Sequence, residues 1–540
     1  MNDLKVNENI YAVKNELPPE SPQKMEALKD MQEENAALFK QYGMLSLIYG
    51  LFFSFCLYKA DFGITYTLFV LGSLVFLGIT EACTQNKSNY TWKDFLFGES
   101  GKFGIRSFYI ISICLLGISM FLTNSYAINV MSCLGIFVLT GCLLYISYLG
   151  QSGDAPSKIA LSIMKISFLP LIKLPTPFQG FSSYGASKKN DGSMEARKKI
   201  NAILLGILVA IPVVFIIILL LANADIIFLR FIENFYIDIS IARWVRHFTG
   251  FLVIALIGFI GFYCIMASLR PEEETFSSIK TTSNKANPLI MIPMEIVLAL
   301  IYLVFCAIQF VYLLGHATLP DGYTYANYAH EGFYQLLFVC LINIFISSLV
   351  KSKFERHTLL NILTLIICGC TYVLIFSSAY RMILYVQAYS LTFLRFFVLW
   401  FLIVLAISLS ILIAGIVKEK INIAKSCLIA GTILYIVFAF IRPDYIIADY
   451  NLRASGEVFY CYDTDYIIYN LSMDAVPALI KHGQSEIAQK KLDIYVNHYN
   501  NSSDFGYYDK ESNVNALSKM LENFKHFNLS IYIAKRMVDV

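Results

Sequence analysis

Residues Ala379 to Phe401 read AYRMILYVQAYSLTFLRFFVLWF, and the division of this stretch decides how the chain crosses a membrane. Arg381 and Arg395, with Tyr385 and Tyr389 between them, interrupt a run that is otherwise suited to lipid. A single helix from Tyr380 to Val417 would be about 57 Å long, nearly twice the roughly 30 Å of bilayer hydrocarbon. The stretch therefore divides into a polar-striped piece lying in or kinked at the outer interface, and a span that begins near Leu394. On a helix, Arg381, Tyr385, Tyr389, Thr392 and Arg395 share one face, with Met382, Ile383, Val386 and Phe393 opposite.

The surrounding composition sets the class. The chain is 57% hydrophobic and 15% charged, with a mean hydropathy of +0.60. Soluble domains usually carry about 25% charged residues, so this is a polytopic, all-α membrane protein. A net charge of +3 is too small to suggest nucleic acid as a partner. The bilayer itself is the first partner.

Roughly eleven apolar runs are long enough for spans. They cover 43–58, 63–80, 107–123, 127–149, 200–221, 248–269, 289–315, 333–350, 359–378, 394–417 and 424–441. Lys and Arg collect in alternate connections. The basic set comprises the N-terminal segment, Lys87 to Arg106, Lys158 to Lys199, Arg270 to Lys285, Lys351 to Arg356, and Lys418 with Lys420. Cytoplasmic loops are enriched in positive charge, so the expected topology has a cytoplasmic N-terminus and an extracytoplasmic C-terminus. The N-terminus lacks the pattern of a cleaved signal peptide, and the first run is expected to stay as an anchor.

Three regions flank or interrupt the spans. Residues 1–42 form a cytoplasmic extension in which MEALKDMQEENAALFK, from Met25 to Lys40, has amphipathic helical spacing. Within the basic loop 150–199, IALSIMKISFLPLIKL (Ile159 to Leu174) contains Lys165, Pro170 and Lys173. It reads as an interfacial helix, because a further span would invert every later loop and destroy the charge asymmetry. Residues 43–441 make the transmembrane domain, and 442–540 read as a small helical extracytoplasmic domain.

Polar groups gather on the predicted outer side. Asp225 follows the fifth run, Gln309 lies near the end of the seventh, and the next loop, HATLPDGYTYANYAHEGFYQLL, carries Tyr325, His330 and Glu331 without any Lys or Arg. Together with Arg381, Tyr385, Tyr389 and Arg395 these could form an outward-facing site. The arginines would bind an anionic group, such as an anionic lipid or envelope ligand. His330, Glu331 and Asp225 are the candidates for acid/base work. The alternative for the same residues is an aromatic belt with snorkelling arginines and loop-tying salt bridges. Glu295, near the inner end of the seventh run, is an ion or proton candidate, since a carboxyl at that depth must be paired, protonated or hydrated.

No phosphate-binding or dinucleotide-binding glycine motif and no HExxH occurs, so no cofactor is expected. The twelve cysteines lie mostly in apolar runs without a CxxC spacing, and no metal site is expected. Three function classes remain open. The first is a binding, signalling or envelope-maintenance component, the second an enzyme acting on lipid-linked or envelope substrates, and the third a secondary transporter using Glu295 or Asp225.

YTYANYAHEGFYQLL (323–337), RMILYVQAYSLTFLR (381–395), LANADIIF (221–228) and the tail motifs RPDYIIADYNL and SMDAVPALI carry a family resemblance. The chain resembles bacterial integral membrane proteins grouped as domain of unknown function 4173, related to domain of unknown function 4153. The resemblance implies the multi-pass architecture and a bacterial envelope location, and lends no reaction. It also implies an arginine where His330 stands and often a glycine where Ser390 stands.

Overall fold

A computed structural model of the chain describes residues 31–85, 91–98, 103–149, 164, 166–187, 221, 240–269, 285–314, 333–418, 421–454, 463–502 and 523–538. Among these the backbone is helical, apart from turns and one isolated bridge between Ala286 and Phe354. Among the described residues, ten helices are long and apolar enough to cross a membrane. The expected fifth run, 200–221, falls almost entirely outside the described residues.

The spanning helices are α1 (Met31–Leu57), α2 (Ile64–Gln85), α4 (Ile105–Leu122), α5 (Tyr126–Leu144), α7 (Ser240–Ser268), α8 (Ile292–Leu314), α9 (Phe333–Lys353), α10 (Thr358–Tyr389), α11 (Phe393–Val417) and α12 (Ile423–Phe440). Between them lie α3 (Trp92–Phe97) and α6 (Thr176–Ser187), and beyond them α13 (Pro443–Ala454), α14 (Val476–Lys481), α15 (Ser485–Ser502) and α16 (Leu529–Val538). The chain divides into two compact units.

The first unit holds α1, the second half of α2, α6 and α7. From Met31 on, the amphipathic segment and the first apolar run are one helix, joined through the π-helical turn Phe39–Gly43. Ser46, Gly50 and Ser54 fall at intervals of four along α1 and are all buried, which lets two backbones approach closely. A Cβ on Gly50 would lie 2.3 Å from the Ala255 carbonyl oxygen of α7. Ser54 Oγ donates to the Phe251 carbonyl at 2.7 Å, and the Tyr49 and Phe262 rings stack at 4.4 Å. Residues 166–172 form a short helix that exposes Phe168, Leu171 and Ile172.

The second unit holds α4, α5, α8 to α12, the first half of α2 and the C-terminal helices. Helix α10 packs against α8, α9 and α11, and α12 lies against both α11 and α4. Tyr435 Oη of α12 bonds to Ser132 Oγ and the Ile128 carbonyl of α5, each at 3.0 Å. The apolar core between α9, α10 and α11 includes Leu336, Leu374, Val398, Leu402 and Leu409.

The opening stretch breaks where its length requires, but its first piece is neither a separate nor a kinked element. Residues 379–389 instead continue α10, which runs without interruption from Thr358 to Tyr389. At 1.5 Å per residue α10 is about 48 Å long, so it exceeds the hydrocarbon thickness by itself. The chain turns at Ser390, with φ 69° and ψ 169°, and α11 begins at Phe393.

The C-terminal helices do not keep their core to themselves. Ile447, Ala448, Ile467, Val476, Leu479 and Ala488 share it with Val386 and Leu391 from the α10–α11 junction. The other attachments go to helix ends on the same side of this unit. Asn528 Nδ2 reaches the carbonyls of Phe62, Met120 and Thr123 at 3.2, 3.2 and 3.0 Å. The Ile64 amide donates to the Phe527 carbonyl at 3.1 Å, and His526 Nδ1 meets Asp61 Oδ2 at 2.7 Å. Helix termini leave backbone groups unsatisfied, and here the tail supplies partners for them. Basic residues mark the start of α4 (Arg106), the end of α9 (Lys351 and Lys353), the end of α11 (Lys418) and the start of α12 (Lys425).

Candidate functional site

The turn between α10 and α11 is held from both sides. Asn451 of α13 accepts from the Leu391 amide and donates to the Leu391 carbonyl, both at 2.8 Å. The Phe393 amide donates to Tyr466 Oη at 2.8 Å. From within α11, Arg395 Nη1 donates to the carbonyls of Tyr389 and Ser390. Its guanidinium lies 4.2 Å from the centre of the Tyr385 ring, which packs against Tyr389 at 5.1 Å. These contacts satisfy the carbonyls at the end of α10 and fix the angle at which α11 departs.

A cavity of about 210 Å³ opens beside this turn. The first turn of α9 supplies Phe333 and Tyr334, the end of α10 Met382 and Tyr385, and the start of α11 Thr392, Leu394, Arg395 and Val398. Typical ligand pockets measure roughly 300–1,000 Å³, so the space suits a headgroup better than a whole ligand. Its described lining offers one cation, two phenols, one hydroxyl and no carboxylate or imidazole. Such a lining can bind an anion.

A second constellation runs along α8, α9 and α10. Glu295, wholly buried, lies with Oε1 and Oε2 at 3.0 and 2.8 Å from Thr364 Oγ1. One turn along α10, Cys368 Sγ meets Ser347 Oγ at 3.9 Å. Tyr302 Oη then donates to Asn343 Oδ1 at 2.7 Å, and Asn343 Nδ2 donates to Thr371 Oγ1 at 3.0 Å. Further along, Ser377 Oγ and Arg381 Nη2 both donate to Gln309 Oε1, at 2.8 and 3.4 Å. Positions 364, 368, 371, 378 and 381 follow helical spacing along one face of α10. From Thr364 to Arg381 the row is about 26 Å long, close to the hydrocarbon thickness.

The C-terminal helices add a buried charged group of their own. Asp444 Oδ2 accepts from the Ser472 amide at 3.0 Å, while Asp474 Oδ2 bonds to Thr123 Oγ1 and Ser472 Oγ. Burial, with Asp474 nearby, pushes the Asp444 carboxyl above its ordinary range. Lys491 Nζ donates to the carbonyls of Ile467 and Ile468 at 2.9 and 2.8 Å, and to that of Leu471. Burial still lowers its ammonium to about 8. The pairing of Thr123 with Asp474 was not foreseen from sequence, and a separation of 351 positions leaves no local signal for it.

The predicted residues thus separate. Tyr385 and Arg395 line the cavity, whereas Tyr389 stands beside it, half exposed. Arg381 and Gln309 belong to the buried row, with Glu295 at its other end. Asn343 bridges neighbouring helices through Tyr302 and Thr371. His330, Glu331, Asp225 and Tyr325 lie outside the described residues.

No curated protein and no solved structure matches the chain. A model of the family described as Domain of unknown function (DUF4153) matches residues 110–482, which covers α5 to α14, the cavity and the buried row. The chain belongs to the DUF4153 family.

Proposed function

We propose that the chain is a multi-pass protein of the bacterial cytoplasmic membrane that binds an anionic amphiphile at its outer face. The observation that carries this reading is the cavity between α9, α10 and α11, where Arg395 and Tyr385 meet the apolar side chains of Phe333, Leu394 and Val398. Arg395 spends Nη1 on the two carbonyls, which fixes its plane while other N–H groups of the fork are left for an anion. A phosphate headgroup at the arginine with its acyl chains toward lipid would match both halves of the lining.

Orientation follows from charge. The basic helix ends would face the cytoplasm, which leaves the C-terminal helices and the cavity outside. Placing a cysteine at exposed Lys490 and treating intact cells with a membrane-impermeant thiol reagent tests this. Labelling above the wild-type background supports it, and labelling only after permeabilisation refutes it.

The binding reading is tested by native mass spectrometry of the protein extracted with mixed phosphatidylglycerol and phosphatidylcholine. Val398→Phe fills the cavity without touching the Arg395 hydrogen bonds, and should abolish preferential retention of the anionic lipid. Equal retention by the wild type and this variant would refute the proposed site. A binding component is favoured because the described lining joins one arginine to apolar side chains, which matches an anionic head and its apolar tail.

A further inference from the structure

Glu295 has no part in the outer cavity, and its surroundings decide its protonation state by counting hydrogens. The Thr364 hydroxyl carries one hydrogen, yet three oxygens lie within bonding distance. They are the Leu360 carbonyl at 2.8 Å and the two Glu295 oxygens at 3.0 and 2.8 Å. The arrangement that gives each side-chain contact its own hydrogen has Thr364 donating to the Leu360 carbonyl, as Thr371 does to Ile367 one repeat further along, and accepting at Oγ1 from a protonated Glu295 carboxyl.

The energetics agree with that assignment. Glu295 has no exposed surface, and Val350, Leu360, Leu363 and Ile367 from α9 and α10 form the apolar cluster around this part of α8. Among the described residues, the polar groups facing it are Thr364 and the Cys368 thiol, itself next to Ser347 of α9; no cationic side chain pairs with it. Burying an unpaired carboxylate costs more than the first turn of α8 returns to the anion through the helix dipole. The neutral acid wins.

A metal ion does not fit. Calcium takes six to eight oxygen ligands and magnesium demands an octahedral shell, and the site offers one carboxyl and one hydroxyl. A proton needs a single acceptor. The row beyond Glu295 points the same way, because Ser378 Oγ, wholly buried on the same face of α10, has no hydrogen-bond partner among the described residues. A buried hydroxyl in that state is where an ordered water would bind.

We propose that Glu295 and Thr364 form a proton-binding site at the foot of the buried polar row that leads along α10 to Arg381, exchanging its proton with solvent at the basic end of the bundle. The step balances simply: a hydronium ion gives its proton to the carboxylate and is left as water, and the resulting acid donates to Thr364 Oγ1. This site is separate from the outer cavity, and either can fail without the other.

Infrared difference spectroscopy of the purified protein at neutral pH, wild type minus Glu295→Gln, tests it. The expected result is a protonated-carboxyl C=O band that is lost in the variant and moves to lower wavenumber after equilibration in D2O. No difference band would mean that Glu295 is ionised, and a band unmoved by D2O would mean a sealed packing group; either overturns the proposal. If Glu295→Gln does not fold, Thr364→Val keeps the acid and removes its acceptor, so the band should move to higher wavenumber. An unshifted band there would equally refute the pairing.

Discussion

Replacing Asn451 by alanine should release the α10–α11 turn from the C-terminal helices. Asn451 is 3% exposed and satisfies both backbone groups of Leu391, each at 2.8 Å. Leaving a buried donor or acceptor without a partner costs about 1–3 kcal/mol, so the two together amount to about 2–6 kcal/mol. At 1.4 kcal/mol per factor of ten, the local opening equilibrium should rise at least about 30-fold. Water entering the space left by the side chain would hold the effect near the lower bound. The assay is amide hydrogen exchange over residues 388–396. The Leu391 amide should exchange at least about 30-fold faster, while amides inside α11, such as that of Leu405, keep their wild-type rate. Asn451→Asp retains an acceptor for the Leu391 amide and should protect that amide better than alanine does. Wild-type exchange at Leu391 in Asn451→Ala would refute the clamp. Equal acceleration throughout α11 would replace it with a global loss of stability.

Ser390 occupies a backbone region that glycine tolerates and other residues enter at a cost of about 1–3 kcal/mol. Ser390→Gly should therefore raise the thermal midpoint and Ser390→Val should lower it; a lower midpoint for the glycine variant would contradict this. Burial holds Lys491 at about 8 against an ordinary 10.5, so across that window the folded state binds fewer protons than the unfolded one. Stability should then rise as pH increases from about 8 to 10.5, by up to about 3 kcal/mol. Below 8 both states are protonated and this contribution is flat. Thermal unfolding against pH reads the slope, and Lys491→Met should remove it. In the other unit, Gly50→Val would force α1 away from the Ala255 carbonyl. Overpacking of this kind costs about 1–3 kcal/mol, seen as a lower midpoint, and an unchanged midpoint would mean that the two helices do not pack as closely as described.

Much of the fold was legible because lipid imposes a coarse rule. Long apolar runs and alternating basic connections mark spans without reference to tertiary contacts. The break in the 379–401 stretch was legible for the same reason, since no single helix of that length fits a bilayer. Its exact form was not. Residues 379–389 extend the preceding helix, because Val386 and Leu391 gain a core from the C-terminal helices, and no periodicity in the stretch itself carries that information. The resemblance placed a glycine at position 390, and the positive φ there supplies the physical reason for one.

The candidate site was legible in part. Residue type and spacing singled out Arg395 and Tyr385, which do share a cavity, and Glu295, which is wholly buried. Those signals did not reveal that Arg381 and Arg395 serve different constellations. Both lie on one stripe of the sequence, but Ser390 turns the chain between them, so one pairs with Gln309 and the other with the α10 carbonyls. A helical wheel drawn through a break assigns a common face that does not exist.

The central claim is that the cavity beside Arg395 holds the anionic head of an amphiphile. An experimental structure determined in nanodiscs rich in phosphatidylglycerol tests it most directly. The account predicts headgroup density within hydrogen-bonding distance of the Arg395 guanidinium, with acyl density leaving past Leu394 and Val398. A cavity filled by protein side chains, or an Arg395 that faces acyl chains with no anion beside it, would contradict it.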